Sequence, residues 1–84
     1  MNLNELTDVL TRDGYHRNWY SFDLSMPPSA GFILEKVGNR WIVFYIERGQ
    51  SRDIANFEYE SDACAYFLQT MRAEYGSLLG KTTH

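Results

Sequence analysis

With 84 residues, 44% hydrophobic and 15% aromatic, the chain has material for a single core and too many large side chains to remain disordered. Eleven acidic residues against eight basic ones leave a formal charge of -3 with no Lys/Arg cluster, which removes the main electrostatic drive for nucleic-acid binding. The lone cysteine, Cys64, excludes an internal disulfide, no basic start followed by an apolar run marks a leader peptide, and the longest apolar run, 41–46, is too short to span a bilayer. These features predict one domain over 1–84, located in the cytoplasm.

Asn2 followed three residues later by Glu5 has the form of a capping box, and Leu3, Leu6, Val9 and Leu10 recur at helical spacing, predicting a helix over 3–13 that ends at Gly14. An aromatic stretch follows, in which Tyr20, Phe22 and Leu24 alternate as one face of a strand. Met26-Pro27-Pro28 stops sheet pairing, because proline lacks the backbone donor and fixes φ. Residues 32–37 and 41–47 are rich in β-branched and aromatic side chains around Gly38-Asn39, the signature of a hairpin with a primed turn.

If Val37 stands opposite Arg40, Leu34 faces Val43 and Phe32 faces Tyr45 on one side of that hairpin. Ile33 with Phe44, and Glu35 with Ile42, then share the other side. Both sides are largely apolar, so the hairpin should lie mid-sheet with at least partial cover on each face. Gly49-Gln50 permits a turn into a short further strand over 53–58 that carries Ile54 and Phe57. From about Glu60 the spacing becomes helical again: Ala63, Cys64, Phe67, Leu68, Met71 and Tyr75 form one stripe that Gly76 ends. Ser61 is a candidate cap, with a start two residues earlier as the alternative, Glu60 and Asp62 oppose the positive end of the helix dipole, and 80–84 should fray. The expected class is α+β: a small antiparallel sheet of three to four strands flanked by an N-terminal and a C-terminal helix.

Catalytic patterns do not emerge. His16 lies in a polar stretch and His84 is the last residue, so no metal site is expected, and no cofactor. Cys64 falls on the apolar helix stripe and reads as a small buried hydrophobe. The pairs Glu58/Glu60 and Glu47/Asp53 would need a cleft to separate their pKa values before doing acid–base work, and read as solvated surface charge. Gly76 and Gly80 do not open a helix after a strand, so they make no phosphate loop. A non-enzymatic protein is expected.

What remains has the character of an interaction surface. Between 47 and 62 the chain carries Glu47, Asp53, Glu58, Glu60 and Asp62 against only Arg48 and Arg52, with Tyr45 and Tyr59 nearby. Aromatic area beside carboxylates suits a basic protein partner: the rings supply contact and the charges steer the encounter. The candidate contacts are Tyr45, Glu47, Asp53, Glu58 and Glu60, with Trp19 and Asp23 outside this segment.

The run Trp41-Ile42-Val43-Phe44-Tyr45-Ile46-Glu47-Arg48-Gly49, followed by Phe57-Glu58-Tyr59-Glu60-Ser61-Asp62-Ala63-Cys64-Ala65-Tyr66-Phe67, resembles small bacterial immunity proteins encoded beside polymorphic and contact-dependent growth inhibition toxins. The resemblance covers roughly residues 31 to 70. It implies a cytoplasmic antitoxin that binds a cognate toxin domain, often a nuclease, and blocks its active or substrate-binding site. Trp41, Gly49 and Ala63 would then maintain the fold while other residues read the toxin. Tyr59 departs from the pattern, standing where a smaller helix-capping residue is expected. A regulatory or adaptor module binding a cellular protein is the alternative.

Overall fold

A computed structural model describes residues 1–79. Helix α1, Leu3–Arg12, begins with the expected capping box: the Asn2 side chain accepts from the Glu5 amide at 2.9 Å, and the Asn2 amide donates to Glu5 Oε1 at 3.0 Å. A 3-10 turn, Arg17–Trp19, leads into strand β1, Tyr20–Ser21. Strands β2, Ala30–Val37, β3, Arg40–Glu47, and β4, Gln50–Phe57, form a meander, and helix α2, Glu60–Leu79, closes the described chain. The fraying expected at 80–84 lies outside the described residues, as does His84.

The α+β class with a helix at each end is observed, and the sheet has four strands in the order β1-β2-β3-β4. It is mixed rather than wholly antiparallel, because β1 runs parallel to β2, with Tyr20 beside Phe32 and Ser21 beside Ile33. The β2–β3 register is the one the hydrophobic pattern predicts, with Val37 opposite Arg40, Leu34 opposite Val43 and Phe32 opposite Tyr45. β4 begins earlier than its apolar residues suggest. Ladder pairing carries the polar residues Gln50, Ser51 and Arg52 into the sheet, opposite Glu47, Ile46 and Tyr45.

Both helices serve one face. Leu6 and Leu10 of α1 and Ala63, Cys64, Phe67, Leu68 and Met71 of α2 join Tyr15, Phe32, Leu34 and Val43 in the main core. Its larger fully buried members should each contribute about 1.5–3 kcal/mol from transfer out of water. The opposite face holds a smaller cluster of Ile33, Phe44 and Ile46, against which Leu24 and Ile42 pack. Leu24 therefore does not continue β1. After Ser21 the chain crosses to β2, and Leu24 lands on the far face, where its amide donates to Glu35 Oε1 at 3.4 Å. A parallel neighbour requires such a crossover, whereas an antiparallel one can be joined by a tight turn.

Gly76 does not end α2, which continues past it to Leu79. A β-carbon built at Gly76 would lie 4.0 Å from the Tyr15 hydroxyl, so the position is an ordinary van der Waals contact with the core and not a helix stop. Ala63 N–H donates to the Tyr59 carbonyl at 3.2 Å, which makes the exposed Tyr59 the residue at which α2 begins its bonding.

Two backbone positions carry strain or close approach. The β3–β4 turn is centred on Arg48-Gly49, not Gly49-Gln50, with positive φ at both residues (55° and 80°), as a type I′ turn requires. Gly31 has φ of 155°, and a β-carbon there would collide with the Trp19 carbonyl. Replacing Arg48 with Asn, which tolerates the left-handed region, should stabilise the fold by about 0.5–1 kcal/mol, or ~4 °C in Tm, as measured by thermal melting. An unchanged or lower Tm would contradict that assignment of strain. Gly31→Ala should instead cost about 1–3 kcal/mol and alter Trp19 fluorescence, because the added methyl displaces the 3-10 turn.

Candidate binding groove

The residues singled out from the sequence do not form one surface. Trp19 is a packing residue: its ring stacks on Tyr75 with centroids 4.5 Å apart and planes at 7°, and meets Tyr15 edge-on at 6.5 Å. Asp23 closes its own loop, accepting from the Ser25 amide at 2.9 Å and the Ser25 hydroxyl at 2.7 Å. Those bonds, the hydroxyl's first, hold its carboxyl below the ordinary carboxylate range. Glu60 is half-buried and joins the two helices, its Oε2 accepting from the Leu3 amide at 2.9 Å. It therefore serves the N-terminus of α1 as a capping carboxylate from another element.

The remaining four divide as well. Asp53 pairs with Phe44 and belongs to the face away from the helices. Glu58 is exposed just beyond the Phe57 end of β4. Glu47 stands at the other end of the β3–β4 ladder, about 20 Å away at the usual rise per residue. Only Tyr45 and Glu47 come together.

They do so in an open groove of about 520 Å³ between the edge strand β4 and α2. Its lining is Phe32 and Tyr45 from the middle strands, Arg52 and Ile54 from β4, and Tyr66, Thr70 and Glu74 from α2, with Glu47 at the strand end. Tyr45, Glu47 and Arg52 also line a smaller adjoining hollow of about 260 Å³ with Gln50 and Ser51, so the two depressions meet at the same three residues.

Local structure explains each member. Tyr45 and Arg52 are directly paired across the β3–β4 ladder and point to the helix side, which puts the Arg52 guanidinium 5.9 Å over the Tyr45 ring. The register shifts between Val43 and Phe44, which face Ala55 and Asp53, so Ile54 is an extra residue in β4. This bulge lets Ile54 and Ala55 both pack towards the main core. Tyr66, Thr70 and Glu74 recur every fourth residue and so share one helix face, beside the Ala63, Phe67 and Met71 row. Tyr66 is held by Phe57 at 5.3 Å, and Tyr75, next to Glu74, by Trp19 and by Phe32 at 6.2 Å.

Tyr66, Thr70, Glu74 and Arg52 were not candidates from the sequence. The every-fourth-residue spacing was available, but nothing in it says that the row faces β4.

The electrostatics are open on the carboxylate side. Among the described residues the ion pairs are Arg12 with Asp13 and Arg72 with Asp13, so Glu47 and Glu74 are both unpaired there. Burial pushes the Tyr75 hydroxyl above its ordinary range, and Tyr45 nearby adds to the shift. Among the described residues no three His, Cys, Asp or Glu side chains converge as metal ligands, and no helix is long and apolar enough to cross a membrane.

Comparison with known proteins adds no assignment: no family model matches the chain, and neither a curated protein nor a solved structure matches it.

Cys64 is fully buried, and desolvation, reinforced by the Glu60 carboxylate, pushes its thiol from an ordinary 9.0 up to about 11. The unfolded thiol thus loses its proton first, so folding stability is fully present below pH 9 and declines as pH rises towards 11. Burial raises Tyr15 and Tyr75 as well, which acts in the same direction. Thermal melts across this range should show Tm falling, and Cys64→Ala should flatten the first part of the fall. A wild-type Tm that stays level would contradict the burial of these groups.

Proposed function

We propose that this protein is an immunity protein that neutralises a toxin by binding it through the Tyr45–Glu47–Glu74 groove. The observation that carries the reading is the groove itself, in which half-buried aromatic area lies between two carboxylates that have no ion pair among the described residues. Such a surface attracts a basic partner and gives it a desolvated contact once docked. The likeness of 41–49 and 57–67 to bacterial immunity proteins supplies the kind of partner, a toxin whose substrate site is basic, as in a nuclease. An acidic protein seated on such a site competes with nucleic acid for the same charges.

Relative to the linear cluster from 47 to 62, the proposed surface keeps Tyr45 and Glu47 and gains Tyr66, Thr70 and Glu74. Glu60, Asp23 and Trp19 take structural roles, while Asp53 and Glu58 lie on other surfaces. The groove's members come from four separate elements, and the exposed ones, Glu47, Arg52 and Glu74, can change to retune recognition while the core stays intact.

Co-expression with the product of the adjacent upstream gene, scored for restored growth and for co-purification, tests the reading. Glu47→Lys combined with Glu74→Lys should weaken toxin binding by roughly tenfold or more while leaving Tm nearly unchanged, since both side chains are exposed. Asp53→Lys combined with Glu58→Lys is the control and should bind as wild type. Failure of both rescue and co-purification would turn the assignment to a regulatory or adaptor module.

A further inference from the structure

We infer that the groove is a receptor for an arginine side chain presented by the protein partner. The inference rests on the reading of this groove as the partner-binding face and specifies what enters it. Its lining combines apolar and aromatic area from Phe32, Tyr45, Ile54 and Tyr66 with the carboxylates of Glu47 and Glu74. An aliphatic stem lies well on such a surface while the charged head reaches the carboxylates.

A guanidinium fits better than an ammonium, because it is planar, weakly hydrated and able to stack on a ring while donating in its own plane. The Tyr45 ring already has a guanidinium within cation–π range, that of Arg52 at 5.9 Å, which has no ion pair among the described residues. Arg52 therefore forms a cationic wall of the groove beside Tyr45. The groove's formal charge is -1, from Glu47 and Glu74 against Arg52, and an incoming arginine brings it to zero. Its volume of about 520 Å³ is open to solvent, which suits a side chain presented by a protein and not an enclosed small ligand. Arg52 also opposes the incoming charge, so it limits affinity and favours a partner that supplies further contacts outside the groove.

The test needs no toxin. N-acetyl-arginine amide is titrated into the full-length protein and followed by amide and side-chain NMR shifts, with N-acetyl-citrulline amide as the uncharged isostere. Saturable shifts are expected at Tyr45, Glu47, Ile54, Thr70 and Glu74 with the arginine compound only. Glu47→Gln and Glu74→Gln should each weaken binding by roughly two- to fivefold, the range of exposed charge pairs, and Arg52→Ala should tighten it by a similar factor. Shifts that do not saturate, that are equal for the citrulline compound, or that fall as strongly on Asp8, Asp53, Glu58 and Asp62 would overturn the inference. If the arginine compound fails while the toxin still co-purifies, only the arginine receptor falls. If it binds in the groove while no toxin does, the immunity reading falls and the receptor stands.

Discussion

The stack of Trp19 on Tyr75 ties the 3-10 turn before β1 to the C-terminal part of α2, and much of the architecture depends on it. The Trp19 carbonyl lies so close to Gly31 that only a residue without a β-carbon fits there. That approach sets β1 beside β2. On its other side the indole fixes Tyr75, which in turn packs edge-on against Phe32, and Phe32 against Tyr45 at 5.2 Å. A continuous aromatic row therefore runs from the start of β1 to the ladder that carries Arg52. Such ring pairs contribute about 0.5–1.5 kcal/mol each beyond their buried area, and here they also set position. Glu74 reaches the groove because its neighbour Tyr75 is held this way.

The same constraint accounts for the unequal faces of the sheet. α2 lies on the side where Tyr75 meets Trp19 and its apolar row joins Leu34 and Val43, and α1 packs beside it through Leu6 and Leu10. The other side is left to Ile33, Phe44 and Ile46, covered in part by Leu24 from the crossing segment. Since β1 is parallel to β2, the chain cannot turn back directly, and the connection is used as cover for this second cluster. Glu35 holds it to β2 by accepting from the Leu24 amide, while Asp23 closes the turn within the connection.

Charge is arranged by these elements and not by sequence proximity. Along a strand, successive side chains leave on opposite faces, so Arg52 and Asp53, adjacent in sequence, end up on different sides of the sheet. Acids at the two ends of β4 are separated by the length of the strand. Glu60 is drawn inward to the first turn of α1, where an amide without a helical partner is available. Distant residues meet instead, since α2 runs back along β4 and sets Glu74 beside the groove that Glu47 also lines.

By itself the sequence determined the α+β class, the capping box of α1, the β2–β3 register and the buried row of α2, because each follows from local periodicity or from a turn between adjacent segments. Phe32, Leu34, Val43 and Tyr45 could be paired on paper because a period of two and a two-residue turn leave one consistent register. The tertiary structure alone decided that β1 is parallel, that Leu24 crosses to the far face, that Arg48 takes a left-handed conformation and that α2 passes through Gly76. It alone decided the groove as well. Tyr45, Ile54, Tyr66 and Glu74 are joined by packing between elements, through a bulge and a helix orientation that no local pattern encodes, so the acidic surface legible as a run of residues became a smaller one built from distant parts of the chain.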